Sequence, residues 1–70
     1  GQSRKAEFVL ARQVAMYLTQ KHTGDTVKHI GHIIGRRSHA TVIHGIQCID
    51  KKMKESAEFK KEIKELEKKL

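Results

Sequence analysis

The sequence predicts an all-α fold, a small four-helix domain with a helix-turn-helix, on three observations. Its 70 residues contain no proline and only three aromatics, Phe8, Tyr17 and Phe59, too few for a sandwich or barrel. Ala, Lys, Glu, Ile and Leu dominate, a composition suited to helices. Apolar residues recur every three or four positions. A chain this short buries only about 60% of its unfolded surface, so a single domain over residues 1–70 with a modest core is expected.

The first helix is expected over about residues 5–20, with Phe8, Ala11, Ala15 and Leu18 on one stripe and Val14 beside it. "HTGDT" (22–26) then supplies a stop and a start: Gly24 suits a left-handed cap, and Asp25 or Thr26 can cap the next helix. This second helix, about 27–34, buries Val27, Ile30 and Ile34. Gly31 in its middle costs roughly 1 kcal/mol against alanine, which is tolerated where another backbone must come close. Gly35 ends this helix, and Ser38 can cap a third over about 39–54. Val42, Ile46, Ile49 and Met53 repeat along it at helical spacing. Ser56 can cap a fourth, "AEFKKEIKELEKKL" (57–70), whose stripe is Phe59, Ile63, Leu66 and Leu70, with Glu65 and Lys69 as an i,i+4 pair.

A short helix, a glycine-containing turn and a longer helix make a helix-turn-helix over about residues 26–54. Used on DNA, the second helix of the pair enters the major groove with its N-terminal residues nearest the bases. Charge agrees: 15 Lys and Arg against 8 Asp and Glu leave +7, which favours a polyanionic partner. Residues 1–50 hold all five histidines, and the tail mixes eight lysines with five glutamates, as a solvated helix does.

On a wheel of about 100° per residue, Ile46, Ile49 and Met53 lie within about 40° of Val42. Ala40, His44, Gln47 and Lys51 fall opposite, flanked by Thr41 and Cys48. That outer face is small, polar and free of carboxylates, which suits base edges and thymine methyls. The N-terminus of the third helix offers amides and a positive dipole end to phosphates, with Arg36 and Arg37 beside it.

At these residues the sequence resembles the C-terminal DNA-binding domain of the DnaA family of bacterial replication initiators. The family's signature reads GGRDHTTVLHA where residues 35–45 here read GRRSHATVIHG. "ARQVAMYL" (11–18) is similar to the family's "RQIAMYL", and "TVKHIG" (26–31) takes the place of its "SLPEIG". The likeness spans about residues 2–54 without a gap. It implies a four-helix, Trp-repressor-like domain that binds the DnaA box at replication origins. Ser38, His39, Ala40 and Thr41 take the places that face bases and phosphates, with His44 a further contact. Arg4 matches the arginine of a basic loop that enters the adjacent minor groove, Lys5 supports it on the backbone, and Lys28 lies where the family approaches DNA. Three departures stand out: Ser38 replaces the family's capping, base-touching aspartate, Ala40 a base-facing threonine, and Arg36 the second glycine. They predict stronger phosphate attraction and weaker base discrimination. The alternatives are a diverged module with altered or little sequence specificity, and a protein-interaction domain of a replication-associated protein.

Other chemistry is not expected. No CxxC or HExxH spacing supports a metal site, although His29 and His32 are i,i+3 neighbours and His44 and Cys48 are i,i+4 neighbours. No P-loop is present, so the domain is not expected to be an enzyme or to need a cofactor; ATP would enter only through an ATPase domain upstream. A single cysteine fits a reducing, cytoplasmic setting, and the resemblance implies the bacterial nucleoid. No apolar run approaches a membrane span, no signal-peptide pattern opens the chain, and no small-molecule substrate is implied. The tail stripe is expected to pack back on the core of a monomer rather than form a coiled coil, since its heptad pattern is under two repeats.

Overall fold

In the computed structural model, which describes residues 2–70, four helices follow one another: α1 (Gln2–Thr23), α2 (Val27–Ile33), α3 (His39–Glu55) and α4 (Ala57–Lys68). The described residues contain no strand. Side-chain caps fix the starts of the last three helices. Thr26 Oγ1 accepts from the amide of His29 at 3.2 Å, Ser38 Oγ from that of Thr41 at 3.2 Å, and Ser56 Oγ from that of Phe59 at 3.1 Å. Each such cap contributes about 1 kcal/mol. Between the two candidates in "HTGDT", Thr26 is the cap, while Gly24, at φ +71°, closes α1 by donating to the carbonyl of Gln20.

Helix α3 is central and packs against the other three. One cluster, Met16, Ile30 and Val42, with Ile46 beside it, binds the helix-turn-helix to α1. A second cluster, Leu18, Ile49, Met53 and Ile63, fastens α4 to α1 and α3. Full burial of each such side chain is worth about 1.5–3 kcal/mol. The expected α3 stripe is therefore the one that packs, joined by Gly45, which is also buried.

For α1 the structure corrects the expected stripe. Leu18 is buried as expected and Val14 packs beside it, but Phe8 is 58% exposed, Ala11 and Ala15 face solvent, and Met16, outside the expected stripe, is buried. A single-stripe wheel assumes one partner, whereas α1 has two. Met16 and Leu18 lie about 200° apart on it, and each joins a different cluster.

The tail does return to the core, through Ile63 and half-buried Phe59, with the Lys52 ammonium 5.6 Å from the Phe59 ring centre. Leu66 and Leu70 stay exposed. The expected Glu65–Lys69 pair is not formed among the described residues. Glu67 reaches across instead, to Lys21 Nζ at 3.0 Å and His22 Nε2 at 2.8 Å at the end of α1.

Candidate nucleic-acid interface

The turn from α2 to α3 is set by two glycines and two arginines. The amide of Arg37 donates to the carbonyl of Gly31 at 2.6 Å. A Cβ at Gly31 would collide with the Arg37 carbonyl oxygen and stand 3.2 Å from Val42 Cγ2. This is the close backbone approach that a mid-helix glycine implied. Gly35 then turns at φ +73°, and Arg36 comes next at φ +53°. A side chain in that left-handed region costs on the order of 1–2 kcal/mol, so Arg36 occupies a place better suited to glycine.

Ser38 opens α3. Its hydroxyl caps the helix and also lies 2.9 Å from Thr41 Oγ1, tying the two side chains together. His39, Ala40, Thr41, His44 and Gln47 are exposed, as the wheel required, and Cys48 is half-buried. His44 Nε2 stands 3.3 Å from Cys48 Sγ.

Two grooves flank this leading edge. The larger, about 760 Å³, lies between α2 and α3 and gathers Lys28, His29, His32, Arg36, Arg37 and His39, with Thr26 and Ser38. The smaller, about 240 Å³, lies between α1 and α3 and gathers Arg12, Gln13, Arg37, Thr41 and His44 over Val9 and Met16. Neither is lined by a carboxylate. Arg37 borders both. The arrangement offers cations and hydroxyls on either side of a helix N-terminus, which suits a polyanion lying across it.

Of the residues singled out from sequence, Lys28, Arg36, Arg37, Ser38 and His39 share the larger groove, and Thr41 and His44 the smaller. Ala40 is exposed one position beyond His39. Arg4 and Lys5 stand apart from both grooves, exposed in the first turns of α1 and helical rather than in a loop. Sequence reasoning missed Arg12 and Gln13. Their signal lies inside "ARQVAMYL", as a polar pair just before buried Met16. Gly45 brings α1 close at this point: a Cβ there would sit 3.0 Å from Met16 Sδ and 3.2 Å from Gln13 Cγ. The described residues hold no group of three or more His, Cys, Asp or Glu side chains arranged for a metal.

The profile of the bacterial dnaA protein helix-turn-helix matches residues 1–49. The chain belongs to that DnaA family. Among its DnaA relatives, the chromosomal replication initiator protein of Porphyromonas gingivalis is 42% identical over 67 residues. That of Chlorobaculum tepidum is 44% identical over 70 residues, and that of Flavobacterium psychrophilum 38% over 70. These alignments take in 96%, 100% and 100% of this chain but only 14%, 14% and 15% of the relatives. The chain thus spans a small part of the initiators it matches. No solved structure gives a match. The matched unit of DnaA is a helix-turn-helix, a binding rather than a catalytic element. No helix among the described residues is long and apolar enough to cross a membrane.

Proposed function

We propose that the domain binds double-stranded DNA through its helix-turn-helix and reads DnaA-box-like sites in the initiation of chromosome replication. What carries the reading is the leading edge of α3, exposed between two basic grooves that hold no carboxylate. With α3 in the major groove, Ser38, His39, Ala40 and Thr41 meet base edges and His44 lies a turn behind them. Lys28, Arg36 and Arg37 hold phosphates on one side of the helix, and Arg12 and Gln13 on the other. Arg4 and Lys5, in the first turns of α1, serve the adjacent minor groove and backbone.

Residues 1–70 act in this reading as one DNA-binding unit, a monomer that needs no cofactor of its own. Any use of ATP belongs to an ATPase domain upstream, and the setting is the bacterial cytoplasm and nucleoid. The relatives' name, chromosomal replication initiator protein, supports the process assigned.

A second reading, DNA binding with relaxed sequence preference, is favoured by Ser38 and Ala40, which stand where the family signature has an aspartate and a threonine. One titration separates the two. The domain is mixed with a duplex carrying a DnaA box and with a scrambled duplex, at two salt concentrations. With about six phosphates engaged, affinity should fall on the order of 10³-fold between about 50 and 200 mM salt. A box preference supports origin reading, and equal affinities leave relaxed binding. Absence of binding at low salt rejects both and leaves a protein-interaction domain.

A further inference from the structure

The larger groove holds more than fixed charge. Three of its six basic side chains, His29, His32 and His39, are imidazoles, and imidazole is the side chain whose charge changes between about pH 5 and 8. His29 and His32 are three residues apart on α2 and so share a face. Both are exposed, beside Lys28 on their own helix and Arg36 and Arg37 on the turn. The carboxylate that reaches them is Asp25, just ahead of α2, whose Oδ1 is 3.5 Å from His29 Nδ1. This contact engages one ring nitrogen of His29, Nδ1, and does not involve Nε2. Both α3 and α1 pack against α2; the titratable group that α3 turns to the groove is His39, and α1 contributes none to its lining.

We propose that duplex binding takes up protons at His29 and His32, so that this domain grips DNA more tightly as the pH falls through the imidazole range. The inference rests on the DNA-binding reading and adds a regulation to it. An entering phosphate backbone brings negative charge to a groove that has no carboxylate in its lining, and that charge favours the imidazolium form. A proton gained only in the complex is a coupling: acid strengthens DNA binding, and DNA binding strengthens proton binding by the same factor. Of the remaining histidines, His39 faces the same groove from α3, whereas His44 lies against Cys48 in the smaller groove and His22 against Glu67 at the far end of α1.

The test compares the unaltered domain with a His29→Gln, His32→Gln double variant, titrated with the box duplex at about pH 6 and pH 8 and constant ionic strength. Both side chains are exposed, and circular dichroism at each pH checks that the variant is folded. The unaltered domain should bind about 10-fold tighter at the lower pH, and the variant less than about 3-fold tighter. Calorimetry of the unaltered domain near pH 7, in two buffers of unlike ionisation enthalpy, should record uptake of at least about half a proton per domain bound, the mean that a 10-fold change over two pH units requires. If the double variant does not fold, the single His29→Gln and His32→Gln variants decide the matter, each expected to lose about half of the pH dependence. Equal pH dependence in both proteins, or no proton uptake, overturns the inference while leaving DNA binding intact. Failure of the unaltered domain to bind at either pH in low salt removes the DNA-binding reading itself.

Discussion

The backbone of Arg37 rests on Gly31. Its amide donates to the Gly31 carbonyl at 2.6 Å, and its own carbonyl oxygen fills the space a side chain at 31 would need. One contact therefore joins the middle of α2 to the turn that aims α3. Gly31→Ala has to push that strand of backbone away. The obstacle is backbone and the buried Val42 methyl rather than a flexible side-chain tip. The expected loss of about 1–3 kcal/mol reads as a lowered thermal midpoint. DNA affinity should fall further than unfolding explains, because Arg37 and Ser38 move with the turn. Equal stability and affinity would show that the turn is soft.

Arg36 sets conformation against charge. At φ +53° it holds a left-handed backbone that glycine adopts without penalty. Glycine also frees the unfolded chain, which takes back about 0.4–1 kcal/mol. Arg36→Gly should therefore leave stability unchanged or raise it by up to about 1.6 kcal/mol. The same change removes a cation from the larger groove. DNA affinity should drop, and the slope of log affinity against log salt should shrink by about one. A denaturant melt and a salt titration on one variant report both halves.

These residues also mark what the sequence made legible. Gly31 announced a close approach, and the three hydroxyl caps and the α3 stripe come from local rules of spacing and capping. The α1 stripe was legible only at Leu18 and Val14, because the wheel cannot say that a helix will serve two clusters on different sides. Arg12 and Gln13 were hidden for the same reason. Nothing local shows that α1 crosses α3 at Gly45, and that crossing is what carries them to Thr41 and His44. Arg36 was legible as a cation beside the recognition helix but not as a strained one, since its φ is a property of the turn.

Arg12 should behave as a phosphate contact. Arg12→Ala is expected to weaken binding to box and scrambled duplexes alike and to reduce the salt slope by about one. It belongs to no buried cluster, so the melting curve should hardly move. A loss confined to the box duplex would instead make Arg12 a base reader.

Glu67 ties the ends of α1 and α4 through Lys21 and His22. The Lys21 hydrogen bond, then that of His22, holds its carboxyl below the ordinary value of 4.5. Lys21 in turn is raised above its ordinary 10.5, chiefly by its hydrogen bond to Glu67. A depressed carboxyl adds stability that is present above its ordinary value and is lost as the pH falls through the folded one. A raised ammonium adds stability that is present below its ordinary value and is lost as the pH rises through the folded one. Glu67→Gln should therefore melt at a lower temperature than the unaltered domain near neutrality. The two curves should converge in acid below the folded carboxyl value. A difference that persists there would assign the loss to packing of the tail.

Ser38 is where helix capping and base reading meet. Its hydroxyl accepts from the Thr41 amide and lies within hydrogen-bond distance of Thr41 Oγ1, so cap and neighbour are held together. Aspartate caps a helix as well as serine does, so Ser38→Asp should leave stability within about 0.5 kcal/mol. Its carboxylate would stand beside the cations of the larger groove and repel phosphate. Binding to scrambled DNA should weaken, and the salt slope should fall. If the family's aspartate position reads a base, the box duplex should lose less than the scrambled one, widening discrimination by about 1–3 kcal/mol. Parallel titrations of the two duplexes measure that gap directly. Equal losses on both would mean that Ser38 does not face the bases and serves only to start the helix.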